Sequence, residues 1–367
     1  IKIAREGFIV SEKLSAIITK FKSSLWRSTA MRATYFRPDG QPKQPGDTIV
    51  RTELATTLEL IAADPERSKV FYQGSIADNL VKAVKEAGGI LTKEDLAAYQ
   101  THHTPALQSN YRDYQILTTN SPSAGPVLIE ALNILSHFNV QEMSVTDRNQ
   151  LLVETLKFAY GSRMRLGDPS FEPEMINELR RMLDPHSAAQ IFSKIDMNHT
   201  HVPDYYSSTL EKIHDHGTTH VSVIDAEGLG VSATCTVNLE FGAKLMDPVT
   251  GIILNNEMDD FSIPNHSNQF SLPPSPSNYI KPGKRPMSSS TPVIMLRNGR
   301  IQLIVGGTGG SRIISSTLMT IVKMIDLGAS AVTAVDAPRI HHQLIPNYLI
   351  AEYDVPEAEI KDLMARG

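Results

Sequence analysis

The sequence is poor in the features that most often announce a function. One cysteine, Cys235, in 367 residues excludes an internal disulfide and a cysteine-rich zinc site, so core packing has to supply the stability. No stretch of about 20 apolar residues is present that could span a bilayer as a helix. Lys and Arg form no long run and the formal net charge is −5, which argues against nucleic acid or a membrane surface as the partner and favours a small molecule. Also missing are a G-x-S-x-G elbow, a catalytic-cysteine pattern and an H-E-x-x-H pair. The opening IKIAREGFIV has neither an initiator Met nor a signal-like run, and reads as the middle of a longer protein.

What is present describes a globular protein: 41% hydrophobic and 20% charged residues, enough apolar material for one large core or two modest ones. The first half is mainly helical by pattern. Leu54, Leu58 and Ile61 recur at helical spacing, as do Ile76, Leu80 and Val84 before Gly88-Gly89, and Thr92 to Asp95 resembles a capping box. From Asp147 to Tyr160 the spacing puts Leu151, Leu152, Thr155, Leu156 and Ala159 on one side of a helix. After residues 211–217 the period falls to two. Val221, Val223 and Val231 to Val237 predict a hairpin around Ala226-Glu227-Gly228, and Thr291–Leu296 with Ile301–Val305 a second one, turned by Asn298-Gly299. A glycine loop, 306–310, then leads into an apolar helix from about Ile313 to Leu327. Residues 264–286, crowded with Pro, Ser and Asn, predict a long surface loop. No repeat or linker is evident, and the element order suggests one mixed α+β domain.

Chemistry can be sought at Gly217-Thr218-Thr219, directly before the first alternating strand. By pattern alone this is a strand entrance. If the Gly217-Thr218 bond were cut, however, Thr218 would carry a hydroxyl beside a free α-amine, whose ordinary pKa of about 7.7–8.0 suits a general base near neutrality. Nothing else in the sequence joins nucleophile and base so compactly. Glu257 and Asp260 read on their own as a solvated acidic turn, and Ser288 and Ser289 as turn residues. The glycine loop reads as a close-packing bend, a weak phosphate site or a set of N–H donors to an anion at a helix start; no Lys follows as a nucleotide loop would require. The pairs His102/His103, His214/His216 and His341/His342 point in different directions and read as structural or exposed.

Six blocks, TTHVSVID, SATCTVNLEFGAKL, GIILNNEMDDFS, KRPMSSSTP, GGTGGSR and DAPRIHHQ, occur in the order found in gamma-glutamyltranspeptidases, and the chain resembles that family throughout. The resemblance implies a four-layer αββα sandwich of the N-terminal-nucleophile hydrolases. It implies that residues 1–217 are the later part of a large subunit and 218–367 part of the small one, in one composite domain. Thr218 matches the nucleophile and the first residue after self-cleavage at Gly217-Thr218, with Thr219 the neighbouring alternative. Thr236 matches the threonine that orients it, and its spacing from Asn238 puts both on one strand face. Asn238, Glu257 and Asp260 match the receptors of the substrate ammonium, Ser288 and Ser289 the donors to its α-carboxylate, and Gly309 and Gly310 the oxyanion hole.

The resemblance further implies a precursor whose mature form moves gamma-glutamyl groups from glutathione and related compounds to water, amino acids or dipeptides, without metal or cofactor. Two sequons, at Asn198 and Asn265, fit a secretory, membrane-anchored, vacuolar or extracellular setting. The family's carboxylate-pairing arginine is expected upstream of residue 1, and its last small-subunit strands beyond Gly367. Two rivals are an acylase of the cephalosporin type and an unprocessed, silent homologue.

Overall fold

The computed structural model describes residues 1–66, 68–207, 217–264 and 275–367. They form two compact units, Ile1–His103 with Leu239–Asn256, and Thr104–Asn238 with Glu257–Gly367. This is a division of packing, different in kind from the expected boundary at 217/218, which concerns covalent continuity.

In the first unit short helices gather around Val10, Ile18, Leu25, Met31, Ile49 and Met246. The helix expected from Leu54, Leu58 and Ile61 is present as Thr52–Ala63, yet its most buried residues are Ala55 and Thr57. Small side chains let it approach the turn at 250–251, where Thr57 Oγ1 donates to the Thr250 carbonyl at 2.8 Å. Ser75–Glu86 buries Ile76 and Leu80 as its spacing predicts. The capping box at Thr92 is complete, with both reciprocal bonds to Asp95.

The second unit is built on a sheet. Its elements are β1 (Leu107–Tyr111), β2 (Tyr114–Thr118), α1 (Gly125–Leu135), α2 (Val145–Arg163), β3 (Thr218–Ile224), β4 (Gly230–Thr236), β5 (Val293–Arg297), β6 (Arg300–Val305) and α3 (Arg312–Ile325). Four antiparallel strands run in the order β1-β2-β5-β6. The β1–β2 hairpin escaped the sequence reading because its turn, Arg112-Asp113, holds no glycine. Arg112 takes a φ of +55° there, and its guanidinium bonds to Asp326 at 2.8 Å. The β5–β6 turn at Asn298-Gly299 has positive φ at both residues, as anticipated. Ile116, Val293 and Met295 share the core with Leu128, Leu132, Ile314, Leu318 and Ile321 from α1 and α3.

Helix α2 departs from the expected one-sided pattern: Gln150 to Arg163 are all buried. It lies inside the unit, where several of its polar residues find partners, while Thr155 Oγ1 and Arg163 Nε have none among the described residues. Glu154 accepts from Tyr206 at 2.8 Å and Thr200 at 2.7 Å, while Lys157 donates to the Thr200 hydroxyl and the His201 carbonyl.

The β3–β4 hairpin pairs Thr218 with Thr236 through to Ile224 with Gly230. Its valines face outward, with Val221 52%, Val223 51% and Val231 48% exposed, whereas Ser222 and Ser232 turn toward β6. Ser222 and Ser232 donate to the carbonyls of Ile304 and Val305 at 3.2 and 3.3 Å. Polar side chains thus share the contact between hairpin and sheet with Ile301 and Ile304, which close on Gly230, and helices cover the sheet's other side, in a mixed α+β arrangement. No helix among the described residues is long and apolar enough to cross a membrane.

Candidate active site

Thr218 begins β3 on its inward face, and Thr219 points the opposite way, exposed, across from Cys235. The Thr218 hydroxyl donates to Thr236 Oγ1 at 3.3 Å. Thr236 in turn donates to the Gly217 carbonyl at 3.4 Å and accepts the Asn238 N–H at 2.8 Å. The nucleophile candidate and the carbonyl of the bond it would attack therefore share one hydroxyl partner. Gly217 itself has a φ of +101°, a conformation that suits glycine and strains other residues.

Asn238 does not continue the strand face of Thr236. It lies beyond the end of β4 with a φ of +70°, so the expected shared face gives way to a sharp turn, which brings its backbone rather than a parallel side chain to Thr236. Asn238 is buried.

The glycine loop reaches the same place. Thr308 Oγ1 donates to the Thr218 carbonyl. A Cβ on Gly306 would stand 2.3 Å from the His220 ring, so a side chain there would push that ring off its bonds to Thr234 and Ser222. Gly309 and Gly310 have φ of +118° and +64°, and neither N–H donates to a group among the described residues. Two free N–H groups before α3 can receive a developing oxyanion. Behind them the Tyr160 hydroxyl donates to the Ser311 carbonyl, and Ser311 Oγ to Gln343 at 2.7 Å. His341 joins this set through Ser315 and Gln343, at 2.8 and 2.9 Å, and burial holds its pKa down at about 4. His342 is likewise held to about 3 by burial. Both rings are neutral near pH 7. His214 and His216 lie outside the described residues, and no cluster of three metal-ligating side chains occurs among those described.

Glu257 and Asp260 occupy one short 3-10 turn, Glu257–Asp260. The serine pair sits in the strand-like lead-in to β5. Ser288 Oγ donates to Ser290 Oγ at 3.0 Å, and Ser289 Oγ accepts from Arg163 at 3.1 Å. Asn278 joins turn and serines: its amide donates to the Asp260 carbonyl at 2.7 Å and accepts the Met287 N–H at 3.0 Å. The loop expected at the surface is thus packed in its second part, where Ser275, Asn278 and Lys284 are buried; residues 265–274 lie outside the described residues.

A second anchor is Asp168, buried and gripped by the Arg285 guanidinium at 2.8 and 2.9 Å and by the N–H groups of Arg285 and Ser170. Burial opposes ionisation, but these donors outweigh it and lower the carboxyl pKa to about 2. Asp168→Asn is expected to cost about 2–3 kcal/mol at neutral pH, the stabilisation that goes with a carboxyl pKa lowered to about 2. Because the folded pKa lies below the unfolded one, that stabilisation is complete above about pH 4 and fades as the pH falls toward 2. Thermal melts of both proteins at pH 7 and pH 3 should show the gap narrowing in acid.

Asp168, Asn278 and Tyr160 were not singled out in the sequence. Only Asp168 carried a faint signal, an Asp between Gly167 and Pro169 just after a long helix. Helix α2 relates the two parts of the site, because Tyr160 and Arg163, one turn apart, hold Ser311 and Ser289.

The family model described as gamma-glutamyltranspeptidase matches residues 1–367. The chain is 40% identical over 362 residues to glutathione hydrolase proenzyme 2 of Schizosaccharomyces pombe, covering 96% of this chain and 58% of that protein. It is 41% identical over 350 residues to glutathione hydrolase 2 of Arabidopsis thaliana, covering 94% and 60%. It therefore spans about three-fifths of the length of these relatives. Among solved structures, the cephalosporin acylase of Bacillus halodurans superposes with a TM-score of 0.82 at 24% identity, over 100% of this chain and 65% of that one, a likeness of fold.

Proposed function

The chain belongs to the gamma-glutamyltranspeptidase family, and on that premise we propose that the protein cuts itself before Thr218 and then transfers or hydrolyses gamma-glutamyl groups. The observation that carries the reading is the hydroxyl of Thr236, which receives the Thr218 hydroxyl and donates to the Gly217 carbonyl.

In maturation, Thr218 Oγ1 adds to the Gly217 carbonyl carbon. The C–N bond breaks, the hydroxyl proton ends on the released nitrogen, and water hydrolyses the resulting ester to a Gly217 carboxylate and a free Thr218. In turnover the new α-amine takes the hydroxyl proton as Oγ1 attacks the gamma-amide of glutathione or a related compound. Gly309 and Gly310 N–H groups hold the oxyanion, and the amine passes the proton to the departing amine. The gamma-glutamyl ester then yields to water, an amino acid or a dipeptide. Glu257, Asp260 and Asn238 receive the donor's ammonium, and Ser288 and Ser289 its carboxylate. Residues 1–217 and 218–367 become parts of two polypeptides of one precursor. The exposed sequon at Asn198 supports a route through the secretory pathway to a membrane-anchored, vacuolar or extracellular place.

The full-length protein assayed on gamma-glutamyl and glutaryl anilides side by side separates this reading from a cephalosporin-type acylase. A preference for the gamma-glutamyl donor is expected; a preference for the glutaryl one would overturn the assignment.

A further inference from the structure

Helix α2 ends at Arg163, whose side chain lies in the interior of the unit at 7% exposure. Nearby arginines are matched to carboxylates: Arg165 to Glu178, Arg181 to Glu130 and Glu178, and Arg285 to Asp168. Arg163 has no such partner among the described residues. Among the described residues its side chain makes one hydrogen bond, from Nη2 to Ser289 Oγ at 3.1 Å, and its buried Nε has no partner.

A buried guanidinium without a counter-ion is unfavourable, and its place at a helix C-terminus offsets only part of the cost. Ser289 is fully buried as well. Because its oxygen accepts from Arg163, its own hydrogen has to turn away from the guanidinium and is available to an acceptor on the other side.

We infer that Arg163 is a positioning residue for carboxylate recognition: through Ser289 it aims a hydroxyl hydrogen at the donor's α-carboxylate, whose charge completes the pairing that the guanidinium lacks. The inference rests on the proposed function, and specifically on Ser289 as a carboxylate donor. It adds to the serines a buried cation that acts through one of them.

The test uses the full-length protein with two donors, a gamma-glutamyl anilide and the same compound with its α-carboxylate converted to a neutral amide. Arg163→Met should raise KM for the carboxylate donor about 10- to 100-fold, the range of a charge-assisted hydrogen bond, with kcat changed much less. For the amide donor kcat/KM should stay within about threefold, so the preference between donors collapses. Combined with Ser289→Ala, Arg163→Met should add little to the serine change alone. Arg163→Lys keeps a cation in place and should fall between. If Arg163→Met fails to fold, Arg163→Lys carries the test on the same ratio of donors. Equal losses on both donors, or no change in KM for the carboxylate donor, would overturn the inference and leave the proposed function standing. An unaltered protein that releases aniline from neither donor would overturn that function, and this inference with it.

Discussion

Thr218→Ala leaves the full-length protein as one uncut polypeptide and lowers gamma-glutamyl release by a factor of about 10⁴ or more, the scale seen when a covalent nucleophile is removed. The substitution deletes the oxygen that attacks, while Thr236 keeps its bond to the Gly217 carbonyl and the pairing of β3 with β4 is untouched. Loss of both events without loss of the fold is the distinctive outcome. Thr218→Ser retains an oxygen in the same position, so it should still cut and still turn over, more slowly. Thr219→Ala, on the exposed face of the strand, should cut and react much as the unaltered protein does. Gel electrophoresis and an anilide assay check all three.

Gly309→Ala is expected to lower kcat about 10²- to 10³-fold, the cost of losing an oxyanion donor. The reason is conformational: a Cβ there would meet only Arg312 Cβ, at 4.0 Å, but the φ of +118° lies outside the wells open to alanine. The loop has to rotate, which turns its N–H groups away. Gly310, with a φ of +64°, sits in the left-handed helical well, where alanine costs only about 1–2 kcal/mol. Gly310→Ala should therefore be the milder change. Steady-state kinetics beside thermal melts would check the order, since a general loss of stability would not rank the two glycines this way.

Period and turn chemistry carried much of the second unit. The alternation after Gly217 gave β3 and β4, and Asn298-Gly299 gave the β5–β6 turn, because both signals are local. Alternation could not tell which face of the hairpin turns to the sheet. Hydrophobicity would have buried Val221 and Val223, yet Ser222 and Ser232 face inward because they meet backbone carbonyls of β6. The β1–β2 hairpin stayed hidden because Arg112 adopts its positive φ under the pull of Asp326, some 200 positions away in sequence.

The candidate site was legible only in part, for a related reason. Thr218, Glu257, Asp260 and the glycine pair stood out through ordered blocks and small residues at marked positions. The residues around them, Asn278 on Asp260, Asp168 on Arg285, Tyr160 on Ser311 and Arg163 on Ser289, work through tertiary bonds that leave no periodic trace. Asn238 shows how spacing misleads: two residues beyond Thr236 predicts a common face, and a φ of +70° at the end of the strand removes it.

The most direct measurement is the first residue of the smaller polypeptide in an active preparation of the full-length protein, read by N-terminal sequencing together with intact mass. A free Thr218 at that terminus is the expected result. Full activity from a chain still continuous across Gly217-Thr218, or a smaller polypeptide beginning at another residue, would contradict the account.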